Sequence, residues 1–183
     1  MSLEELKTEC ESCKDCPLWE SRTNLVFGTG SDNALLMFIG EAPGEQEDKT
    51  GVPFVGAAGQ LFDRYLYAVD IPRESVYIAN ILKCRPPRNR DPLPTEEDAC
   101  RRHLEKQIEL IDPKIIVCLG RVSAKRIIDE DFMITKQHGK WFEKNGRLIT
   151  AVYHPSALLR DPAKKGEMLT DMKAIKAKLD ELK

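Results

Sequence analysis

Cysteine is the residue type whose number and spacing in this chain most directly suggest chemistry. The 183 residues include six cysteines, which are Cys10, Cys13, Cys16, Cys84, Cys100 and Cys118. Cys118 lies between Val117 and Leu119 in an apolar run and is predicted to be a small core residue. A C-x₂-C pair near the start of the chain, followed by Cys84 and Cys100, can supply four thiolates to a metal centre.

The spacing of these cysteines leaves the kind of centre open. Fifteen residues separate Cys84 from Cys100, whereas the second cysteine pair of a zinc ribbon is tightly spaced. Iron–sulfur clusters accept thiolates from scattered loops, which favours iron–sulfur over zinc and over unligated cysteines. Cys10 and Cys13 also form a C-x₂-C pair, so spacing alone does not identify the N-terminal ligands, but a proline directly after Cys16 favours Cys13 and Cys16.

The stretch from Phe38 to Gly56 is a second candidate for binding a ligand. An apolar run, Ala34 to Ile39, predicts a buried strand, and a loop rich in glycine and proline follows it. Around Lys49 the loop resembles a phosphate-binding Walker loop, but the second glycine is missing and the loop's acidic residues would repel phosphate. An acidic run of this kind is usually a solvated turn. Because Phe54 lies beside it and Asn80 and His154 are expected nearby, the loop is instead predicted to bind a neutral, planar group, with Phe54 as an aromatic wall.

Two polar residues accompany other predicted strands. Asn80 interrupts the apolar run Val76–Leu82, and a buried amide costs free energy unless both of its ends are paired, as the Watson–Crick edge of a pyrimidine could do. His154 follows a predicted strand and precedes Pro155, which stiffens the turn. For both residues the alternative is a purely structural role, and that role is predicted for the other two histidines, His103 and His138.

Basic residues flank these candidates in the sequence. One group, with prolines interleaved, comprises Lys83, Arg85, Arg88 and Arg90, and another comprises Arg160, Lys164 and Lys165. Charged runs are usually solvated faces, but these two flank the predicted site in a chain whose formal net charge is -2. They are therefore predicted to form a local groove for a phosphate backbone.

Strands alternate with helices along the chain. Strands are predicted at Ala34–Ile39, Val76–Leu82 and Ile115–Leu119, with a hairpin in Gly139–Val152 that turns at Asn145 and Gly146. Helices are predicted at Leu3–Cys10, Gln60–Val69, Thr95–Ile111 with Thr95 as the N-cap, Val122–Asp129, and from about Glu167. This alternation predicts an α/β sandwich with a mostly parallel central sheet, whose carboxyl edge brings the Glu41 loop, Asn80 and His154 together.

Composition limits the class of protein. An apolar content of 42% and a charged content of 32% suit a single globular domain, residues 1–183, with a highly charged surface. The slightly acidic balance argues against a non-specific nucleic-acid binder. Since no apolar stretch approaches the roughly 20 residues of a membrane span and the N-terminus lacks a signal-peptide layout, a cytoplasmic protein with no membrane association is expected.

Taken in order, these stretches closely resemble the family 4 uracil-DNA glycosylases. The matching motifs are Gly40-Glu-Ala-Pro-Gly-Glu45, Asp48-Lys-Thr-Gly-Val-Pro-Phe-Val-Gly56, Asn80-Ile-Leu-Lys-Cys-Arg-Pro-Pro-Arg-Asn-Arg90 and His154-Pro-Ser. The resemblance implies a monomeric enzyme that excises uracil from single- or double-stranded DNA in base excision repair. It also implies the three-layer α/β fold of these enzymes, with a mostly parallel four-stranded sheet.

The resemblance further implies a 4Fe-4S cluster in a region formed by residues 10–16 and 84–100. Its ligands would be Cys13, Cys16, Cys84 and Cys100, which leaves Cys10 spare. The residues implied to contact DNA are Arg85, Arg88, Arg90 and Arg160, with Leu158 inserted into the vacated base stack.

Roles at the base follow from the same resemblance. Phe54 would stack on uracil, and Asn80 would read its O4 and N3–H. His154 would hydrogen-bond O2 and stabilise the uracil anion as the glycosidic bond breaks, with help from backbone N–H groups near Glu41 and Ala42. Glu47 would crowd C5 and exclude thymine.

Position 42 departs from the better-known family 1 enzymes. Those enzymes have an aspartate where this chain has Ala42, and that aspartate positions the attacking water. Alanine cannot do so, and the candidates for this role are Glu41 first and Asn89 second. Leaving-group stabilisation is expected to supply most of the rate, because an oxocarbenium-like sugar needs little activation of the water.

Two other functions are alternatives to an enzyme that turns over. Some relatives trap the abasic sugar covalently with a histidine in a basic insertion, but here the corresponding stretch, Arg85–Pro94, contains no histidine. A non-enzymatic, cluster-bearing DNA-binding module, such as a polymerase-associated subunit, would leave Phe54, Asn80 and His154 without a purpose.

Overall fold

Six strands form one sheet in the computed structural model, which describes residues 1–183. The strands are β1 (Thr29–Gly30), β2 (Leu36–Gly40), β3 (Tyr77–Asn80), β4 (Ile115–Leu119), β5 (Phe142–Lys144) and β6 (Arg147–Val152). Their order is β1-β3-β2-β4-β6-β5. The inner four run parallel, and β1 and β5 pair antiparallel at the two edges. The α/β class is confirmed, but the sheet has six strands, because two short edge strands extend the predicted parallel four.

Nine α-helices cover the sheet. They are α1 (Leu3–Glu11), α2 (Leu18–Ser21), α3 (Glu45–Thr50), α4 (Ala57–Ala68), α5 (Pro94–Ile111), α6 (Arg121–Ile127), α7 (Ile134–Gln137), α8 (Pro155–Arg160) and α9 (Lys165–Glu181). Every residue of β2, β3 and β4 is buried, because parallel strands are covered on both faces. No helix is both long and apolar enough to cross a membrane.

Alternate residues of the strands build two separate cores. Phe38 and Val117 belong to the core formed with α4, α8 and α9, whereas Ile39 and Cys118 belong to the core formed with α5 and α6. The period of two along each strand therefore produces the three layers. Cys118 is fully buried in the second core, as the sequence predicts.

Two local predictions are wrong. The acidic run after Pro43 is the short helix α3 and not a loop, because Glu47 accepts a hydrogen bond from the Gly44 backbone at 3.0 Å and closes its first turn. Helix α5 begins at Pro94 and is not capped by Thr95. Proline suits the first helical position, and the Glu96 carboxylate accepts from the Leu93 N–H at 2.8 Å.

The predicted hairpin carries the chain to His154. Strands β5 and β6 pair antiparallel through a two-residue turn in which Asn145 and Gly146 have φ of 53° and 77°, as a type I′ turn requires. Strand β6 then runs parallel to β4 and ends at Val152, two residues before His154. The end of β6 thus lies at the same sheet edge as the ends of β2, β3 and β4.

Candidate active site and cysteine cavity

A cavity of about 640 Å³ opens at the carboxyl edge of the parallel strands. Each of the four inner strands contributes a segment: Glu41 follows β2, Asn80 ends β3, Arg121 follows β4, and His154 follows β6. Ala42, Glu47 and Phe54 also line it. The residues that the sequence predicts for one site are therefore brought together by strand order, which places β3, β2, β4 and β6 side by side.

Phe54 is a rigid wall of this cavity. Its backbone is left-handed, with φ of 54°, and its side chain is buried. A Cβ on Gly59 would lie 2.0 Å from the carbonyl carbon of Phe54, so only glycine lets α4 approach this strained turn. Arg73 donates to the Phe54 carbonyl at 2.9 Å. The ring centroid of Phe54 lies 5.5 Å from that of His154, at 33°.

Asn80 is 2% exposed, and its Oδ1 has no hydrogen-bond partner. A buried acceptor without a donor costs about 1–3 kcal/mol. Across the parallel pair, Gly40 lies opposite Asn80, and a Cβ there would be 2.5 Å from Oδ1 and 2.7 Å from Cζ of Phe54. The amide and the ring therefore border one narrow space, and Oδ1 is suited to accept a hydrogen bond from a ligand.

His154 presents one defined donor. Its Nδ1 lies 3.1 Å from the Ser156 backbone N–H, which can only donate, so Nδ1 accepts and the proton of the neutral ring is on Nε2. The Ser156 hydroxyl is also 2.7 Å from Nδ1. Burial, followed by the charge of Arg160, lowers the pKa of His154 to about 4. At neutral pH the residue is therefore an uncharged N–H donor.

Glu47 is fixed by the backbone around it. Its carboxylate accepts from the N–H groups of Gly44, Val55 and Gly56 at 3.0, 2.9 and 2.7 Å. These bonds tie α3 to the turn that precedes α4. Glu47 also lines the cavity, so the same three hydrogen bonds fix the position of its carboxylate there.

Glu41 lies in a group of charges that the sequence analysis missed. Burial, followed by the charge of Asp91, raises the pKa of Glu41 to about 7. Arg121 donates to Asp91 at 2.6 Å and holds the pKa of Asp91 below its usual value. Glu41 can therefore gain or lose a proton near neutral pH. Arg121 lies two residues after the end of β4, and this position at the carboxyl edge of the sheet is the sequence signal that could have indicated it.

The residues predicted to contact DNA have different environments. Arg88 and Arg160 are exposed. Arg85 donates to Oδ1 of Asn89 at 2.8 Å, and Arg90 forms two bonds of 2.8 Å with the Glu96 carboxylate. The basic rim of the cavity consists of Arg90, Arg121, Arg160 and Lys164.

The prediction for Leu158 is wrong. Its side chain is fully buried in the core with α4 and α9, so it cannot enter DNA. Leu159, the next residue of α8, is 47% exposed. Adjacent helical residues point about 100° apart, and that rotation separates the core residue from the surface residue.

Five cysteines line a second, smaller cavity, which shares no lining residue with the first. They are Cys10, Cys13, Cys16, Cys84 and Cys100, and none is in a disulfide. Arg22 donates to the sulfur of Cys84 at 3.2 Å, and Nε2 of His103 lies 3.2 Å from that of Cys13. Burial raises the pKa of Cys100 to about 11, so thiolates here require a compensating positive charge such as a metal. The gathered free thiols and the donors around them fit a thiolate-bound metal centre.

Cys10 differs from the other four cysteines. It is completely buried and packs against Leu6 and Phe27, whereas the other four are only partly buried. Its contacts are those of a core residue at the edge of the cavity.

The two histidines that the sequence assigns to structural roles lie in different places. Nδ1 of His138 is 2.7 Å from the Asp171 carboxylate, and its ring packs on Tyr153. His103 lies in the cysteine cavity instead. It follows Cys100 by three residues on α5, and this i,i+3 spacing placed the two on one helix face.

Comparison with known proteins agrees with the geometry. The model of the Uracil DNA glycosylase superfamily matches residues 27–178. A type-4 uracil-DNA glycosylase of Archaeoglobus fulgidus is 44% identical, over 95% of this chain and 92% of its own length. Those of Sulfurisphaera tokodaii and Thermotoga maritima are 48% and 44% identical, over 96% and 87% of this chain and 84% of each relative.

Proposed function

The chain belongs to the uracil-DNA glycosylase superfamily, and we propose that it receives a uracil flipped out of DNA and hydrolyses its N-glycosidic bond, in base excision repair of deaminated cytosine. The observation that carries the proposal at the level of the site is the buried, unpaired Oδ1 of Asn80 beside the Phe54 ring. A planar ligand with an N–H group satisfies both features at once.

Base discrimination is assigned to Asn80. Uracil presents an N3–H donor and an O4 acceptor, which match the oxygen and nitrogen of the side-chain amide. Cytosine presents an acceptor at N3 and a donor at its 4-amino group, so both the oxygen and the nitrogen of the buried amide would be left unpaired. Phe54 stacks on the ring, and its strained, clamped turn keeps the slot narrow.

Leaving-group stabilisation is assigned to His154. As the glycosidic bond breaks, negative charge develops at O2 of uracil, and Nε2–H is the donor that the Ser156 contacts leave free. A neutral donor keeps its proton when the base departs as an anion. Backbone N–H groups near Glu41 and Ala42 assist at O2. Glu47, held by three N–H groups, is assigned to crowding at C5 of a thymine.

Positioning of the attacking water is assigned to Glu41, in place of the carboxylate that Ala42 cannot supply. Asn89 is the second candidate and the weaker one, because its Oδ1 already accepts from Arg85.

The pH dependence of turnover tests this assignment. Since the pKa of Glu41 is raised to about 7, its carboxyl group is half ionised near that pH and mostly ionised above it. The single-turnover rate constant is therefore expected to rise as pH increases through 7 and then level off. Glu41→Gln should remove this rise. Glu45→Gln, an exposed neighbour, should keep it. A flat wild-type profile, or a rise that survives in Glu41→Gln, excludes Glu41 as the base.

The cysteine cavity is proposed to hold a 4Fe-4S cluster through Cys13, Cys16, Cys84 and Cys100. The irregular spacing favours this over zinc, and the Arg22 donor to the sulfur of Cys84 fits a thiolate ligand there. The cluster would cross-link the N-terminal segment, the end of β3 and helix α5. A brown protein with broad visible absorbance that disappears on chelation supports iron–sulfur, whereas a colourless protein with bound zinc contradicts it.

Serine substitutions separate the ligands from the spare cysteine. Cys84→Ser is expected to lose most of the bound iron and to lower the melting temperature, because metal binding and folding are coupled. Cys10→Ser should keep full iron occupancy, since Cys10 packs as a core residue. Iron content and visible absorbance per protein measure both. Iron loss in Cys10→Ser equal to that in Cys84→Ser refutes the assignment.

The DNA backbone is proposed to follow the basic rim, where Arg160 contacts a phosphate, and to extend beyond it to Arg85 and Arg88 as further phosphate contacts. Arg90 is a weaker candidate, because its guanidinium is already paired with the Glu96 carboxylate.

Leu159 is the exposed apolar residue on α8, next to the cavity residue Arg160, and is proposed to fill the vacated stack.

Leu159→Ala tests the insertion. Excision from double-stranded DNA is expected to fall about tenfold or more, since the unstacking of a base step costs a few kcal/mol, while excision from single-stranded DNA changes little. Tyr67→Ala, which removes another exposed apolar side chain on α4, should leave both unchanged. Equal losses on the two substrates would argue against insertion.

Release of free uracil from an oligonucleotide with one uracil tests the function as a whole. Repeated turnover supports it, a covalent protein–DNA complex would indicate trapping, and binding without release would indicate a non-enzymatic module. Sedimentation of the same sample tests the proposed monomer.

A further inference from the structure

Lys83 is a buried cation whose hydrogen-bond partners are neutral. Its side chain is among the largest fully buried ones, with 1% exposure. Nζ donates to the backbone carbonyl of Asn80 at 2.9 Å and to Oε1 of Gln107. Gln107 is itself fully buried and donates to the Phe27 carbonyl at 2.8 Å. An ammonium taken out of water costs several kcal/mol unless an opposite charge compensates.

A cluster bound by the neighbouring cysteines would supply the compensating charge. Lys83 lines the cysteine cavity, and the next residue, Cys84, is one of the four proposed ligands. An iron–sulfur cluster held by four thiolates carries net negative charge, and nearby charges help set its reduction potential. Lys83 therefore borders the cluster cavity, and its ammonium holds the backbone carbonyl of the base-reading residue Asn80.

We propose that Lys83 is a positioning residue that couples the cluster to uracil recognition, an inference that rests on the proposed function. Its charge balances the cluster, and its hydrogen bond fixes the end of β3, where Asn80 is the last residue. When the cluster is lost, the buried ammonium has no counter-charge and leaves its place, so the Asn80 carbonyl loses its donor. Uracil binding then weakens, whereas the His154 step on bound substrate does not.

Lys83→Met in the cluster-loaded enzyme tests the coupling, since methionine fills similar space without charge. The reduction potential of the cluster is expected to become more negative, because a positive charge that favours the added electron is gone. KM for uracil-containing DNA is expected to rise about tenfold with kcat changed less than about twofold. Lys106→Met, on the outer part of α5, is the matched control and should change neither quantity.

Gln107→Glu provides a second measurement if Lys83→Met fails to fold. The new carboxylate lies against the same ammonium and offsets its charge, while the bond to Asn80 remains. The potential should again become more negative, with KM unchanged. An unchanged potential in Gln107→Glu, or unchanged potential and KM in a folded, cluster-loaded Lys83→Met, overturns the inference. A wild-type enzyme that contains no iron or releases no uracil overturns the proposed function instead, before any variant is compared.

Discussion

His154→Ala is expected to lower the single-turnover rate constant for uracil release by about 10²–10³-fold, the usual effect of removing one donor from an oxyanion site. The bond to O2 strengthens as charge develops in the transition state, so the loss should fall mainly on kcat and only slightly on KM. Rapid-quench measurement of released uracil at saturating enzyme gives the rate of the chemical step alone, and its dependence on enzyme concentration reports binding. Since the pKa of His154 is lowered to about 4, no pH limb between about 6 and 8 should belong to this residue.

The state of the histidine makes this prediction specific. Nδ1 is committed to Ser156, so only Nε2–H can act on the substrate. His154→Gln offers an amide donor of similar reach and should retain part of the activity lost in His154→Ala. Near-normal excision by His154→Ala would remove His154 from the site's chemistry, and an equal loss in both variants would indicate a structural role.

Asn80→Leu should act in opposite directions on activity and stability. Leucine is close in shape to asparagine but leaves N3–H and O4 of a bound uracil unpaired. At about 1–3 kcal/mol for each of the two groups, kcat/KM should fall by about 30-fold to 10⁴-fold. In the free protein the substitution removes an unpaired buried acceptor, so the melting temperature should stay the same or rise.

Steady-state kinetics of one preparation check the predicted fall in kcat/KM, and thermal unfolding of the same preparation checks the melting temperature. Asn33→Leu, at an exposed position, is the control for the chemical change itself and should leave excision unchanged. A large fall in melting temperature for Asn80→Leu would mean that Asn80 supports the fold. Normal kcat/KM would mean that another group reads the base.

The sequence predicted best those features that depend on neighbouring residues. The strand at Ile115–Leu119 and the turn at Asn145–Gly146 follow from local apolar runs and from the need for left-handed backbone. The order of parallel strands then made it reasonable to expect Glu41, Asn80 and His154 at one edge. Family resemblance added the uracil-DNA glycosylase assignment, which the comparisons bear out.

The sequence is a poorer guide to which side of a short helix faces the core and to whether a short segment is helical at all. Whether Leu158 or Leu159 faces the core depends on where α8 docks on α4 and α9, and a helix of six residues is too short for its apolar pattern to decide it. The six-residue helix α3 was read as a loop because its stability comes from Glu47 and the distant Val55 and Gly56 N–H groups.

The sequence by itself determined the layered α/β fold, the strand ends that carry polar residues, and a supply of thiols sufficient for a metal centre, because each depends on residue type and local period. Only the tertiary structure decided the environments of the functional side chains. It placed Asp91 and burial around Glu41, set the tautomer of His154, brought His103 to Cys13, and enclosed Lys83 between Asn80 and the cysteine cavity. Burial and through-space charge arise from residues far apart in the chain, and no local pattern specifies them.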